Sequence, residues 1–277
     1  MGSRSSLGSL GRTALAVAAV RARESERPDR LFDDPYAAAF LAELSLDDPP
    51  EPPDGDPAAA SLAFQVTMRT RYFDDFLLEA CAGGCRQVVL LAAGLDTRAF
   101  RLDWPAGVRL FELDLPDVIE VKNTVLDAHG AEPTCERHAL PIDLRDDWGE
   151  ALRAADFQPA EPTAWLAEGL LIYLSADEAS TLLGEVGELS APGSWLSSER
   201  ANFADPVLLG QAQATLGADH FSSLWKGGLG YDAADWLPDR GWEVHTDDVA
   251  FVAAAYGRPV AESVGGGFLT AAYRPSS

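Results

Sequence analysis

Val88-Val89-Leu90-Leu91-Ala92-Ala93-Gly94-Leu95-Asp96-Thr97-Arg98 is the stretch that decides the fold. A short, continuous apolar run of this kind reads as a strand buried on both faces. It ends in small residues that let a backbone approach a ligand closely, and Gly94 supplies the conformational latitude such an approach needs. By itself the segment fits equally a tight strand-to-helix turn that binds nothing.

The same grammar repeats outward from this point. Apolar runs recur at Val108 to Leu115, Cys135 to Leu144, Ala164 to Leu174, Ser194 to Ser198, Trp242 to Asp248 and Gly267 to Tyr273, most of them separated by turns and helical patterns. Seven strands alternating with helices read as an α/β fold with a mostly parallel sheet. The segment from Ala201 to Asp239, about 201–240, exceeds a simple crossover. It is expected to form a helical cap over the carboxyl ends of the strands, where open α/β sheets bind ligands.

Residues 1–80 read differently. Leu15 to Arg23 carries apolar residues at helical spacing, Asp34-Pro35-Tyr36 opens a second helix reaching Leu44, and Ser61 to Leu78 resumes the helical period. Between them, Asp47 to Pro57 holds five prolines and five acids, which marks an exposed loop. The expected organisation is an N-terminal helical segment over 1–80, packing over the ligand site, and a core over 81–277.

Composition bounds the function. The 277 residues carry 21 Lys+Arg against 44 Asp+Glu, a net charge of −23, and 47% are apolar. That excludes a disordered acidic tail and disfavours phosphate backbones and anionic lipid surfaces as partners. Cys81, Cys85 and Cys135 match neither a disulfide framework nor a zinc ribbon, so no metal is expected. The apolar run from Ala14 to Val20 ends at Arg21 without a cleavage site, and no run reaches the roughly 18 residues of a membrane helix. A soluble, reduced, cytoplasmic protein is the expectation.

Acids follow the glycine turn in order. Phe111-Glu112-Leu113-Asp114-Leu115 ends the second strand in carboxylates about twenty residues downstream, where a nucleotide-binding α/β fold meets ribose hydroxyls. Glu112 and Asp114 share one face of an extended strand. Pro141-Ile142-Asp143-Leu144 places an acid after the third strand, and Leu166-Ala167-Glu168-Gly169-Leu170 places one inside the apolar fourth. A buried strand glutamate is costly without a partner, so it marks either a ligand site or an internal salt bridge. GxGxxG and GxxxxGK[ST] are both absent, which removes support for pyrophosphate and triphosphate cradles. S-adenosylmethionine, with a ribose, an adenine, a sulfonium and no phosphate, suits an acidic pocket better.

Several segments together resemble a known family: Arg69-Thr70-Arg71-Tyr72-Phe73-Asp74, Ala93 to Leu102, Phe111 to Pro116, Asp143-Leu144-Arg145-Asp146 and Glu168 to Leu174. They look like the leucine carboxyl methyltransferase family, in its bacterial branch of class I S-adenosylmethionine-dependent O-methyltransferases of natural-product type. The resemblance is strong from about Thr13 to Leu174 and weak beyond. It implies a Rossmann-like seven-stranded sheet and methyl transfer from S-adenosyl-L-methionine, yielding S-adenosyl-L-homocysteine. It also implies that Ala92 and Gly94 line the methionine portion, Asp114 binds the ribose, Asp143 and Leu144 flank the adenine, and Glu168 meets the amino group. Arg69 or Arg71 would hold the methionine carboxylate. The family often has Gly-Ala-Gly at the turn, where this chain has Ala92-Ala93-Gly94.

The acceptor side is less legible. A carboxylate acceptor needs no general base, whereas a phenol or alcohol calls for one within about 3 Å of its proton. His220 and His245 lie in the cap and near a late strand, His129 and His138 in a crossover and a strand, and none is assigned as base. Tyr173 is read as core or pocket wall, Arg200 as a substrate clamp or a surface pair, and Phe203, Phe221 and Trp225 as acceptor pocket or cap core. Two other functions stay open. A nicotinamide-dependent oxidoreductase would alter NADH fluorescence, and a non-catalytic cofactor-binding scaffold would bind without transferring. A serine hydrolase is disfavoured because no GxSxG elbow occurs.

Overall fold

The structure is a computed structural model, and it describes residues 9–44, 57–200, 226–229, 233–258 and 266–275. Three helices come first: α1 (Ser9–Ser25), α2 (Ala37–Glu43) and α3 (Pro57–Ala82). Then follow β1 (Gln87–Leu91), α4 (Arg98–Arg101), β2 (Arg109–Asp114), α5 (Pro116–Ala128), β3 (Glu136–Pro141), α6 (Trp148–Ala154) and β4 (Thr163–Ala167). The remainder is α7 (Ala176–Glu188), β5 (Trp195–Arg200), α8 (Ala233–Trp236), β6 (Trp242–Asp248), α9 (Val249–Ala255) and β7 (Gly267–Tyr273). The seven strands make one sheet in the order β3-β2-β1-β4-β5-β7-β6, with β7 antiparallel to both its neighbours and the other pairs parallel.

Burial on both faces explains the continuous apolar runs. Val88, Leu90, Leu110, Ala164 and Leu166 pack on one side with Phe40, Phe73 and Leu77 of the N-terminal helices. Val89, Leu91, Phe111, Leu113 and Trp165 pack on the other with Trp148, Leu183 and Val186 of α6 and α7. Each fully buried large side chain contributes roughly 1.5–3 kcal/mol relative to exposure. The run beginning at Leu15 is a helix, as its period predicts, with Leu15, Ala18 and Ala22 in the core.

Two expectations need correction. The fourth apolar run does not continue as a strand to Leu174: β4 ends at Ala167, and Leu171–Tyr173 forms one 3-10 turn. Gly169 has a left-handed φ of +62°, which no strand accommodates, and its N–H donates to the Glu199 carboxylate at 2.8 Å. Glu168 therefore lies just past the strand rather than inside it. Pro35 also precedes the second helix instead of sitting in its first turn, and Asp34 Oδ1 accepts from the N–H groups of Tyr36 and Ala37. The acidic, proline-rich loop over 45–56 and most of the expected cap, 201–225 and 230–232, lie outside the described residues.

Glu112 turns out to serve the fold. Its carboxylate is fully buried and pairs with Lys122 Nζ at 2.8 Å and Arg137 Nη2 at 2.7 Å, joining β2 to α5 and β3. Glu112→Ala leaves the buried Lys122 ammonium unpaired and should cost about 3–5 kcal/mol in urea unfolding. A loss below about 1 kcal/mol contradicts that assignment. Ala92, just past β1, adopts a left-handed φ of +55°. Ala92→Gly removes about 1–2 kcal/mol of left-handed strain and adds about 0.5–1 kcal/mol of chain freedom. A net gain of up to about 1.5 kcal/mol in thermal unfolding is expected, and a net loss contradicts it.

Candidate functional site

Parallel pairing brings the expected residues to one edge. Leu91 of β1 registers with Leu113 of β2, Asp114 with Pro141 of β3, and Leu90 with Leu166 of β4. The turn after β1, Asp114, Asp143 and Glu168 consequently project from the carboxyl ends of four neighbouring strands.

Asp114 closes the turn. Its Oδ2 accepts from the Gly94 N–H at 2.6 Å and its Oδ1 from the Leu115 N–H at 2.7 Å. Burial pushes this carboxyl above the usual aspartate range, against the pull of those two bonds. Gly94 has a φ of +51°, and a methyl built there would lie 3.8 Å from Ala14 of α1. Helix α1 thus lies against the turn, and Arg21 fixes it there by donating from Nη2 to the Leu95 carbonyl at 2.6 Å while Nε meets Asp34 at 2.9 Å. Thr97 Oγ1 donates to the same Asp34 at 2.8 Å.

Behind the turn runs a chain of buried charges. Arg98 is 2% exposed and meets three carboxylates: Asp74 of α3 at 2.7 Å, Glu168 at 2.7 Å, and Asp96. Asp74 also binds Arg101 at 2.7 Å. Glu168 Oε1 faces Arg69 Nε at 2.8 Å, and Arg69 Nη1 faces Glu199 Oε1 at 3.0 Å. Burial alone would raise Asp96 and Glu168, but Arg98 holds Asp96 down to about 2, and Arg98 with Arg69 holds Glu168 below its ordinary value. Glu199 goes the other way, raised by burial and by Glu168 against the opposing pull of Arg69.

The structure separates the two candidate arginines. Arg69 stands against Glu168, whereas Arg71 pairs with Asp75 at 2.9 Å, donates to the Leu31 carbonyl at 2.8 Å and lies over the Tyr256 ring. Asp143 pairs with the exposed Arg145, whose hydrogen bonds lower its pKa, and Leu144 is half-buried beside it. Tyr173 is half-buried in its 3-10 turn, and Arg200 pairs with Asp248 at 3.1 Å. Phe203, His220, Phe221 and Trp225 lie outside the described residues. His245 sits in β6 beside Asp247, two strands beyond β5, and His129 bonds the Val125 carbonyl. The internal salt bridge considered for Glu168 is present. The sequence reading gave no role to Arg98, Asp96 or Asp74, although a buried acid beside the turn implies a cation nearby.

The chain is similar to known proteins over nearly its whole length. The family described as "Leucine carboxyl methyltransferase" matches residues 14–187. A relative from Parafrankia sp., provisionally named as an S-adenosyl-L-methionine-dependent methyltransferase, is 50% identical over 95% of this chain and 86% of its own. Another so named, from Saccharopolyspora erythraea, is 47% identical over 91% of this chain and 90% of its own. Among solved structures, a DUF574 family protein from Streptomyces avermitilis superposes with a TM-score of 0.66 at 14% identity, covering 95% of this chain and 97% of its own. The Synechocystis magnesium protoporphyrin IX methyltransferase, solved with bound S-adenosylmethionine, gives 0.51 at 11% identity, covering 93% and 97%. These likenesses support the fold, while the profile match and the identities fix the family. With its glycine turn, strand-end acids and α/β sheet, the chain belongs to the leucine carboxyl methyltransferase family.

Proposed function

We propose that this protein is an S-adenosyl-L-methionine-dependent O-methyltransferase. Its acceptor in this reading is a carboxylate or a phenol or other hydroxyl of a small molecule, such as a polyketide-like secondary metabolite or a peptide carboxylate, in the cytoplasm. The observation that carries this reading is the pairing of Asp114 with the Gly94 N–H at the same sheet edge as the Arg69–Glu168 ion pair. The donor set suits the cofactor. Asp114 offers carboxylate lone pairs to ribose hydroxyls beyond those spent on Gly94 and Leu115. Arg69 and Glu168 match, with opposite charges, the carboxylate and ammonium of an amino acid. Arg71, committed to Asp75 and Leu31, is not needed in this scheme.

When bound, the cofactor supplies an electrophilic methyl carbon on a sulfonium. The chain's residues do the rest by positioning: Asp114 holds the ribose, Asp143 and Leu144 flank the adenine, Ala92 and Gly94 line the methionine portion, and Arg69 with Glu168 anchor its polar end. Alignment of this kind is worth roughly 7–11 kcal/mol in favourable cases. A carboxylate acceptor brings its own nucleophilic lone pair, so no base is assigned. Tyr173, Arg200, Phe203, Phe221 and Trp225 remain the residues proposed for the acceptor side.

The family resemblance and the names of the relatives support donor chemistry, and the acceptor is the part to test. Incubation with methyl-labelled S-adenosylmethionine and a panel of small carboxylic acids and phenols should label at least one class. A labelled ester releases methanol in mild base and a labelled ether does not, which separates the two acceptor types. Label that appears only on nitrogen or carbon overturns the O-methyl assignment. Titration calorimetry should give one site for S-adenosylmethionine with a dissociation constant on the order of micromolar. Absence of binding by both it and S-adenosylhomocysteine removes the enzyme reading. Asp114→Asn should weaken that binding by about 1–3 kcal/mol. Arg69→Ala should weaken it comparably while Arg71→Ala leaves it nearly unchanged, and the reverse order contradicts the proposed anchor.

A further inference from the structure

Among the described residues, the buried charges behind the site do not balance. Arg69, Arg98 and Arg101 are the cations, and Asp74, Asp96, Glu168 and Glu199 the anions, of one contiguous chain of ion pairs. Arg98 and Arg101 serve Asp74, Asp96 and Glu168, so Arg69 is shared between Glu168 and Glu199. The next cations are Arg21, engaged with Asp34, and Lys122 and Arg137, engaged with Glu112; Arg21 and Lys122 also bear on Asp96, and Lys122 on Asp114. The unmatched negative charge therefore falls at the ends of β4 and β5. Glu199 carries the strain of it: burial and the neighbouring Glu168 push its carboxyl up, with Arg69 as the opposing cation. Its geometry is nonetheless fixed, since both oxygens accept from the Gly169 N–H at 2.8 and 3.0 Å, and that turn seats Glu168 and Arg69.

Methyl donor and product differ in charge. S-adenosylmethionine carries an ammonium, a sulfonium and a carboxylate, a net charge of +1, whereas S-adenosylhomocysteine is a net-neutral zwitterion. We infer that Glu199 is a specificity-determining residue whose surplus charge makes the site prefer the cationic methyl donor over its neutral demethylated product. This inference rests on the cofactor assignment above. It gives the enzyme a built-in means of releasing product, since the attraction to Glu199 disappears with the transferred methyl group. In a partly buried site that water still screens, one charge acting over roughly 4–8 Å at an effective dielectric of about 40 corresponds to a preference of roughly 5- to 30-fold.

Glu199→Gln keeps the side-chain shape and an acceptor oxygen for Gly169 and Arg69 while removing the charge. Calorimetric titration of wild type and variant with both ligands should show the donor-to-product affinity ratio falling by roughly 5- to 30-fold, with product affinity changed less than about threefold. Glu199→Asp, which retains the charge, should restore most of the ratio. Equal weakening toward both ligands makes Glu199 a purely structural residue and overturns the inference, as does an unchanged ratio. Should the variants fail to fold, the wild-type protein still decides: sinefungin, with an ammonium in place of the methylsulfonium, should bind more tightly than S-adenosylhomocysteine, and weaker binding overturns the inference. If wild type binds neither ligand, the cofactor assignment itself has failed. If it binds both and only the ratio is insensitive to residue 199, the assignment stands and the charge preference alone is lost.

Discussion

A single buried guanidinium organises this molecule. Arg98 stands almost out of water and draws Asp74 from α3, Asp96 from the glycine turn and Glu168 from the end of β4 onto one planar group. Each of those carboxylates would be expensive to bury alone, and the arginine would be more so. Satisfied together, they fix three otherwise independent segments in register. The glycine turn, helix α3 and the strand end that carries the proposed amino-acid anchor cannot move separately without exposing an unpaired charge.

The sheet order supplies the rest of the constraint. With β1 between β2 and β4, and β3 beyond β2, these four parallel strands point their carboxyl ends the same way, and chemistry accumulates along that edge. The antiparallel pair β6 and β7 extends the sheet on the opposite flank. There Tyr72 of α3 donates to Asp247 at 3.0 Å and stacks on Phe268, securing the long helix that also carries Arg69. The position of Arg69 is thus set from two directions: by packing of α3 on β7 and by its own ion pairs with Glu168 and Glu199.

Much of this was legible in the chain before its structure. Runs such as Val88 to Leu91 and Ala164 to Ala167 announce strands because burial on both faces leaves only apolar side chains, and the last two strands fall where the pattern puts them. Acids at 114, 143 and 168 stand out because each interrupts or ends such a run. The end of β4 was not legible, since Leu170, Leu171 and Ile172 are as apolar as strand residues and only the backbone of Gly169 shows the turn. Which arginine faces Glu168 was equally hidden, because Arg69 and Arg71 differ by two positions on one helix; Arg69 finds its partner far along the chain just past β4, whereas Arg71 pairs with Asp75 on its own helix. Glu112 looked like a companion to Asp114, but its partner Lys122 lies on the following helix.

In the function proposed above, the turn after β1 and the acids ending β2 and β4 surround one adenosyl amino acid. A crystal structure of the protein with S-adenosylhomocysteine bound measures this directly. The predicted result has the ribose hydroxyls within hydrogen-bonding distance of Asp114 and the amino and carboxylate groups on Glu168 and Arg69. Density for the ligand elsewhere, or with its ribose away from Asp114, would contradict the claim.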